Sequence, residues 1–406
     1  MNSRERVARA MRHEAVDRVP VMCQLALGHY FLNCQSAPLD IWHSTESFGE
    51  ALVALQRRYR FDGILINLPG RDPQWRSYIQ HIETGADGQT IHWKNGWITE
   101  CPRDDNPHVL RPDKSRFFVA FEEIDPDSLF YIEPHDLSGT SYPYCWGFSD
   151  DPAPGTSFFP PWQCDTIRYV LRATDHVVSV HSEIFSPFTQ LLELLDYANG
   201  LMALLDDPLK FKACLKALTR GTIEWGRLQA ACGVDAILIS SAFAGGGFIS
   251  PQQYSEFVLP FEKAVIDGIH EKSDVPIYTH TCGRIADRLE LMGATGTQGI
   301  DTLDPPPLGN VDLADAKKRI GDCLFIKGNL DPVNIMLKGT PEGVICEAQR
   351  CLEIGAPGGG YILSTACSVP PHAPPENILK LAEAAAGFDV EKSNRSGVET
   401  GGMTLS

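Results

Sequence analysis

The chain reads Pro276-Ile-Tyr-Thr-His-Thr-Cys-Gly283 in one place and Tyr361-Ile-Leu-Ser-Thr-Ala-Cys367 in another. Both stretches are short runs of β-branched, aromatic and apolar residues, which is typical of strands buried on both faces of a parallel sheet. Each run carries polar residues at its C-terminal end. Because the carboxyl ends of parallel strands open onto one edge, we expect His280, Cys282 and Cys367 to lie close together.

The same pattern recurs along the chain, with helical stretches of apolar residues three and four apart between most of the runs. The eight predicted strands are 18–24, 62–67, 176–181, 235–240, 275–280, 298–301, 323–328 and 360–365. This alternation predicts an α/β protein with a parallel sheet. Eight such units favour a (β/α)8 TIM barrel over an open doubly wound sheet.

Residues 69–164, approximately, break the alternation and are rich in Asp, Pro and aromatic residues. Within them Asp87-Gly88 separates two β-prone runs, which predicts a hairpin. We interpret this stretch as an insertion after strand two of a single barrel domain covering 1–388, with a polar, disordered tail at 389–406. We expect the insertion to cover the pocket. Its candidate aromatic contacts are Trp75, Trp93, Trp97, Tyr144 and Trp146, and the alternative is that they form the insertion's own core.

Composition excludes several classes of function. The 406 residues are 43% hydrophobic and 21% charged, as expected for a soluble globular enzyme. A net charge of -17 without clustered Lys and Arg argues against a nucleic-acid partner. The sequence contains no apolar run of about 18 residues and no apolar core of a secretory signal, so we expect no membrane association and a cytoplasmic location. The twelve cysteines are scattered, which predicts reduced thiols and not a disulfide framework.

His280, Cys282 and Cys367 form a ligand set that suits zinc. Three protein ligands leave a fourth position free, which is the arrangement of a catalytic metal and not a structural one. A lone His-x-Cys has many accidental matches, so the alternative for the first pair is a chance spacing. The third donor at the same edge of the barrel favours a metal site.

Other polar residues follow the predicted strands. We expect catalytic roles for Glu183, Asp301 and His29, with Glu183 and Asp301 as candidates for a fourth zinc ligand or a partner of a ligand. The alternatives are structural: His29 hydrogen-bonds a loop carbonyl, Glu183 pairs with a surface cation, and Asp301 with Asp304 caps a turn.

We expect three residues to contact substrate. Gln24 follows the first predicted strand and Asn67 follows the second, so both side chains are placed to face the pocket. Trp97 represents the aromatic contribution of the insertion. A hydrogen bond within the scaffold is the alternative for the two amides, because buried polar groups usually have structural partners.

Several motifs resemble the uroporphyrinogen decarboxylase superfamily, over nearly the whole chain apart from the tail. The opening Ser3-Arg-Glu-Arg-Val-Ala-Arg-Ala-Met-Arg-His-Glu-Ala-Val-Asp-Arg-Val-Pro-Val21 is similar to the start of that superfamily. Further matching stretches are Ser186-Pro-Phe188, Asp207-Pro208, Gly233-Val-Asp-Ala-Ile237, Ile249-Ser-Pro251, Lys327-Gly-Asn-Leu-Asp-Pro332 and Pro375-Glu-Asn377. The resemblance implies a (β/α)8 barrel.

Pocket residues distinguish two branches of this superfamily. Decarboxylases carry an Arg-Gln-Ala-Gly-Arg segment after the first strand, because a substrate with many carboxylates needs guanidinium partners. Here the segment is Cys23-Gln-Leu-Ala-Leu-Gly-His-Tyr30, without either arginine. Asn67 and Cys367 stand where the resemblance implies an aspartate and a histidine. A tetrapyrrole decarboxylase therefore stays the alternative, with Arg71, Arg76 and Arg284 as replacement anion ligands.

The His-x-Cys pair with a distant cysteine resembles the zinc-dependent corrinoid methyltransferases. This resemblance implies an enzyme that moves a methyl group between methylcobalamin and a small thiol, pterin or aryl methyl ether. The chain has no Asp-x-His-x-x-Gly segment of the corrinoid-binding type. We therefore expect the corrinoid to be carried by a separate partner protein. A third possibility is a non-catalytic zinc-binding or corrinoid-chaperone protein, and the oligomeric state stays open.

Overall fold

Two sheets organise the protein in this computed structural model, which describes residues 1–116, 118–135, 147–151 and 153–390. In chain order the strands are β1 (Gly63–Ile66), β2 (Ile79–Thr84), β3 (Gly88–Trp93), β4 (Ile98–Pro102), β5 (His108–Leu110), β6 (Ser179–Phe185), β7 (Ala236–Ser240), β8 (Ile277–Thr281), β9 (Gly299–Thr302), β10 (Phe325–Leu330) and β11 (Tyr361–Thr365). A seven-stranded sheet has the order β1-β6-β7-β8-β9-β10-β11, and all its pairs are parallel. The predicted α/β class and parallel sheet are confirmed.

Helices alternate with the parallel strands, as the apolar periodicity predicts. They are α1 (Ser3–Met11), α2 (Leu27–Asn33), α3 (Pro38–His43), α4 (Thr45–Tyr59), α5 (Asp165–Ala173), α6 (Pro187–Leu195), α7 (Tyr197–Asp206), α8 (Pro208–Ala231), α9 (Pro251–Phe257), α10 (Leu259–His270), α11 (Leu289–Gly293), α12 (Leu313–Ile320), α13 (Pro341–Gly355) and α14 (Pro375–Gly387). Ser186 starts α6 by accepting a hydrogen bond from the Thr189 amide, and Pro187 occupies the first turn. No helix among the described residues combines the length and the apolar character needed to cross a membrane.

The first predicted strand, 18–24, differs from expectation. Val21 forms only an isolated parallel bridge with Leu363 of β11. On its other side, the Val21 carbonyl accepts a hydrogen bond from the Asp62 amide at 2.7 Å, directly before β1. Pro20 has no N–H to donate, so the ladder toward β11 cannot extend past it in the N-terminal direction. The segment still joins the last parallel strand to the first and takes the place of the eighth strand.

The third predicted strand is shifted toward the C-terminus. It begins at Ser179 and ends at Phe185, so Glu183 lies within β6 and not after it. The start is delayed because Asp175 and His176 adopt positive φ angles of 48° and 55°, which form a left-handed turn incompatible with a strand. Glu183 nevertheless keeps its place near the carboxyl end of the sheet.

Alternate residues of the parallel strands form two layers inside the sheet's curve. The lower layer is apolar and packs on α1; it includes Met22, Leu65, Ala236, Leu238, Tyr278, Phe325 and Ile362. Strand side chains alternate with a period of two, so residues two positions further along face the same way. These are Gln24, Asn67, Ser240, His280, Lys327 and Ser364, and we call them, with Glu183 and Asp301, the rim layer. The layer continues from strand to strand across the sheet, because His280 of β8 pairs in register with both Ser240 of β7 and Asp301 of β9.

The four antiparallel strands β2 to β5 lie between β1 and β6 in the sequence. The predicted hairpin is confirmed: β2 pairs with β3 on either side of Asp87. Gly88, with a φ of 149°, is required there because a Cβ would lie 2.2 Å from the Cys101 carbonyl oxygen. One face of this sheet packs on its own cluster of Leu39, Trp75, Ile91, Trp93 and Cys101. Tyr144, Trp146 and residues 391–406 of the predicted tail lie outside the described residues.

The end of the barrel opposite the rim layer is held by a buried carboxylate. Asp62 is fully buried and accepts hydrogen bonds from Arg6 and Arg18, each at 2.7 Å. Its second oxygen also accepts from the Val21 amide at 2.9 Å. The opening motif that resembles the superfamily therefore has a structural role, because two of its arginines fix the start of β1.

Candidate metal centre

The structure brings His280, Cys282 and Cys367 together. His280 lies in β8, Cys282 directly follows that strand, and Cys367 lies two residues after β11. The His280 Nε2 atom is 3.3 Å from the Cys282 sulfur, which is 3.8 Å from the Cys367 sulfur. All three donor atoms lie within 4.8 Å of one another. The predicted convergence of three distant positions is therefore present in the fold.

These distances fit a tetrahedral ion. Zinc–sulfur bonds of about 2.3 Å at tetrahedral angles separate two thiolates by about 3.8 Å, and a nitrogen lies roughly 3.6 Å from each sulfur. The observed sulfur–sulfur distance has that value, and the nitrogen–sulfur distance is slightly shorter. One ion could thus contact all three donors without rearrangement of the strands, and its fourth position would remain for another ligand.

A buried chain of charges positions the imidazole. His280 Nδ1 lies 3.2 Å from Asp301 Oδ2, and Lys327 Nζ donates to Asp301 Oδ1 at 2.9 Å. Asp301 and Lys327 are each 1% exposed. The carboxylate favours the tautomer with a proton on Nδ1, which leaves Nε2 free to bind a metal. Asp301, predicted as a partner of a ligand, has that position in the structure.

Lys327 was not predicted as a site residue, although a lysine in an otherwise apolar strand is a signal, since buried lysines are rare without a partner. Its ammonium and the Asp301 carboxylate neutralise each other. Despite burial, Lys327 and His280 hold the pKa of Asp301 below its usual value. The pair can thus orient His280 without adding net charge to the centre.

Hydrogen bonds among the three donors couple their pKa values. Burial opposes charge on His280, but hydrogen bonds to Asp301 and Cys367 raise its pKa to about 10. A hydrogen bond from the Cys282 thiol, assisted by His280, holds the pKa of Cys367 well below its usual value. The same hydrogen bond and burial raise the pKa of Cys282. These shifts favour the thiolate form of Cys367, which is the form in which cysteine binds a metal.

Glu183 lies beside the donors in a group that the sequence pattern did not identify. Burial raises the pKa of Glu183, while His135 and His280 oppose that shift. His135 Nδ1 lies 3.1 Å from Glu133 Oε1. Since both residues come from the stretch before β6, they were not recognisable from strand ends. Glu183 is buried and has polar and titratable neighbours on the pocket side. These neighbours, and not the surface cation of the structural alternative, surround it.

Asp304 supports the loop after β8. Its Oδ2 atom accepts a hydrogen bond from the Gly283 amide at 2.6 Å, and Gly283 has a φ of 78° that favours glycine. Burial raises the pKa of Asp304 to about 6. The residue thus fixes the turn that begins directly after Cys282, which is a different role from the cap of its own turn before Pro305 that was the structural alternative.

Several polar atoms of the rim layer are buried without a partner. Within the described part of the chain, Gln24 Oε1, Asn67 Oδ1 and Ser364 Oγ have no hydrogen bond. Thr281 and Thr302, near the same strand ends, also have hydroxyl oxygens without one. An unsatisfied buried polar group costs about 1 to 3 kcal/mol, so a row of them suggests that a ligand completes the bonding. Gln24 and Asn67 were the amides expected to contact substrate.

His29 and Trp97 have other surroundings. His29 is fully buried, with Nε2 at 2.7 Å from the Tyr59 hydroxyl and Nδ1 at 2.9 Å from the Pro371 carbonyl. Both ring nitrogens are therefore used by the scaffold, which is the alternative considered above, and we do not propose a catalytic role for this residue. Trp97 packs against the apolar cluster of Leu39, Trp75, Ile91, Trp93 and Cys101. Its contact with substrate stays a prediction.

The arginines considered as replacement anion ligands are partly engaged elsewhere. Arg71 Nε donates to the Trp42 carbonyl at 2.8 Å, and its guanidinium lies over the Trp42 ring. Arg76 pairs with Asp40. Arg284 is exposed. Two of the three guanidinium groups thus have partners on the insertion side of the molecule.

Comparison with known proteins places the chain in a family. The family model described as uroporphyrinogen decarboxylase (URO-D) matches residues 152–388, more than half of the chain, so the chain belongs to this family. The chain is 28% identical over 228 residues to a uroporphyrinogen decarboxylase from Thioalkalivibrio sulfidiphilus, covering 54% of this chain and 62% of that protein. It is 30% identical over 166 residues to the methylcobamide:CoM methyltransferase MtbA from Methanosarcina acetivorans, covering 41% of this chain and 46% of that protein.

The chain thus spans about half the length of the curated relatives it matches. A solved structure described as a methyltransferase from Methanosarcina mazei superposes with a TM-score of 0.67 at 16% identity, covering 96% of this chain and 99% of that one. At that identity the structural likeness establishes the shared fold. Family membership and the resemblance to the methyltransferase branch, both expected from the motifs, are confirmed.

Proposed function

We propose that this member of the family is a zinc-dependent methyltransferase that moves a methyl group between a corrinoid protein and a small thiol, pterin or aryl methyl ether. One observation carries the proposal: the donor atoms of His280, Cys282 and Cys367 converge with tetrahedral spacing at the carboxyl end of the sheet. Zinc bound there would act as a Lewis acid that lowers the pKa of a substrate thiol or phenol and stabilises negative charge on its heteroatom.

The protein's own residues supply the rest of the site. Asp301 and Lys327 hold the His280 ring in the orientation that presents Nε2. Gln24 and Asn67 offer unsatisfied amide groups that can hydrogen-bond the substrate. Glu183, whose pKa burial raises, can hold or release a proton beside the donors. These groups are suited to bind and orient a small polar molecule, as the methyl acceptor requires.

A separate protein would present methylcobalamin. This arrangement is in keeping with the methylcobamide:CoM methyltransferase among the relatives. The decarboxylase alternative has the support of equally similar relatives. It is disfavoured because the first-strand segment has no arginine and because Arg71 and Arg76 have partners elsewhere.

Metal analysis and methyl transfer test the proposal together. Cys282→Ala and Cys367→Ala should each remove the zinc ion bound by this centre and lower transfer from methylcobalamin to thiols or phenols on the order of 10³-fold, because the Lewis acid is lost. Cys351→Ala, which changes a buried cysteine of α13, is the matched control and should keep both. Full zinc content and full transfer in either rim variant would refute the assignment. Metal-independent release of carbon dioxide from a porphyrinogen by the unaltered protein would instead establish the decarboxylase.

A further inference from the structure

A second set of metal donors lies on the four-stranded sheet, outside the barrel rim. In β2 and β3, Ile79 pairs with Trp93 while His81 pairs with His92, so the register shifts by one residue between Ile79 and His81. Such a bulge moves the following side chains to the opposite face. The apolar residues Ile79 and Ile82 pack on the apolar cluster of this sheet that contains Ile91 and Trp93. The bulge therefore puts His81 on the outer face, directly across from His92.

Glu83 completes the group, because it lies two residues after His81 on the same face. The His81 and His92 rings stack with centroids 4.1 Å apart and planes 7° apart. The His81 Nε2 atom is 3.3 Å from Glu83 Oε1, and the His92 Nε2 atom is 3.2 Å from the same oxygen. The three donor atoms all lie within 4.8 Å of one another. The donor atoms of two imidazoles and one carboxylate thus lie around one place. Because the stacked ring planes are nearly parallel, the exposed His81 ring has to rotate for both lone pairs to meet at one ion.

An ordinary surface ion pair does not account for this arrangement. The His92 Nε2 atom is buried, and its approach to Glu83 lacks hydrogen-bond geometry, so it has no hydrogen-bond partner in the described chain. A buried imidazole nitrogen without a partner is costly, but a cation at the shared point would use its lone pair. The two side chains at the opening, His81 and Glu83, are 50% and 65% exposed, so an ion has direct access.

We propose that His81, Glu83 and His92 form a second binding site for a divalent transition metal of the zinc class. Two histidines and a glutamate are a known zinc ligand set, and the absence of a sulfur donor distinguishes this site from the rim centre. The ion would connect neighbouring strands of the hairpin and leave its remaining coordination positions to water. The inference is independent of methyl transfer.

Zinc chloride titrated into the full chain tests the site, with Cys282→Ala/Cys367→Ala as the background that removes the rim donors. This background should retain one bound zinc at micromolar concentration. Adding His81→Ala and His92→Ala should abolish that binding, whereas His108→Ala, which changes another histidine of the same sheet, should preserve it. With cobalt in place of zinc, the remaining site should lack the intense sulfur-to-metal absorption that the rim thiolates give.

Two results would overturn the inference: no zinc bound by the double-cysteine variant, or undiminished binding after both histidines are replaced. In the chain with intact cysteines, His81→Ala/His92→Ala should lower the zinc stoichiometry from two to one while methyl transfer is unchanged. Failure of the proposed methyltransferase activity would therefore leave this measurement intact, and the reverse also holds.

Discussion

Buried polar side chains differ in their hydrogen bonding at the two ends of the barrel. At the closed end, both oxygens of Asp62 accept hydrogen bonds from arginines, and one also bonds a backbone amide. At the open end, the side-chain oxygens of Gln24 and Asn67 are buried without partners among the described residues. Native proteins rarely leave such groups unpaired. The contrast indicates that the closed end is complete as a scaffold, whereas the open end is built to be completed by a ligand.

The largest expected effect on stability comes from the closed end. Asp62→Asn keeps the size of the side chain but removes the buried charge that pairs with both Arg6 and Arg18, and leaves Arg6 paired only with the half-exposed Asp17. Breaking one partner of a buried ion pair costs about 3 to 5 kcal/mol of unfolding free energy. Denaturant unfolding should show this loss, while the zinc content of the folded protein stays the same.

Glu14→Gln is the control for that change, because it alters an exposed ion pair with Arg12 at the same end. It should cost much less stability than the Asp62 change, because exposed ion pairs contribute little. Equal stability of the Asp62 and Glu14 variants would contradict the view that the closed end depends on this buried carboxylate.

Glu262 is a buried carboxyl group that, unlike Asp62, has no ion pair among the described residues. It is 1% exposed on α10 and accepts a hydrogen bond from the Tyr254 hydroxyl. Burial raises its pKa from 4.5 to about 7, so the folded protein binds this proton more tightly than the unfolded chain. Stability should therefore fall as pH rises from about 4.5 to 7, by on the order of 2 to 3 kcal/mol.

Glu262→Gln has no proton to lose, so it should be more stable than the unaltered protein at pH 8 and should lack that part of the pH dependence. Urea unfolding at pH 5 and pH 8 measures both. Glu100→Gln, at an exposed position of β4, should leave the difference between the two pH values unchanged. An unaltered pH slope in the Glu262 variant would disprove the assignment.

A smaller effect is expected at Asp301, which orients the metal donor His280. Asp301→Asn removes the carboxylate that orients His280 and should weaken zinc binding roughly 10- to 100-fold. It also leaves Lys327 without a counter-charge, so Asp301→Asn/Lys327→Met is needed to separate the two effects. Competition with a chromophoric chelator should show weak binding in both variants, with stability recovered only in the double variant. Recovery of zinc affinity in the double variant would argue that Asp301 serves folding alone.

The smallest effect should come from a rim amide. Asn67→Leu removes the unsatisfied oxygen with little change in size, so the free protein should be equally stable or more stable by about 1 kcal/mol. If the amide binds substrate, the KM for the methyl acceptor should rise while kcat changes less. Thermal unfolding and steady-state kinetics give both values, and a loss of stability with an unchanged KM would assign Asn67 to the scaffold.

Sequence patterns could predict the features that depend on strand periodicity. The convergence of His280 with Cys282 and Cys367 follows from parallel strands whose carboxyl ends share an edge, and no detail of packing is needed for it. The segment around Val21 was predicted as a strand because its apolar character is strand-like, but Pro20 prevents a full ladder. Local propensity gave the position of this segment, whereas the short extent of its pairing is known only from the structure.

Features that depend on register or on chain segments folding back were not predictable. Glu133 and His135 reach the neighbourhood of Glu183 from a stretch without strand character. The His81–His92 pair depends on a one-residue bulge, which changes the outward face without a clear change in composition. Lys327 was visible as a charge in an apolar strand, but its partner could be identified only from the pairing of β9 with β10.

The hydrogen bonds that link the segment around Val21 to Leu363 on one side and to Asp62 on the other have a consequence for biosynthesis. On the ribosome, the segment around Val21 emerges long before β11, the strand that must lie beside it. The parallel sheet therefore cannot close while the middle of the chain is being translated. The second thiol of the metal centre, Cys367, comes from the same late region. The complete donor set therefore exists only once residue 367 has left the exit tunnel, and a cell must keep the half-formed sheet from associating with other chains until then.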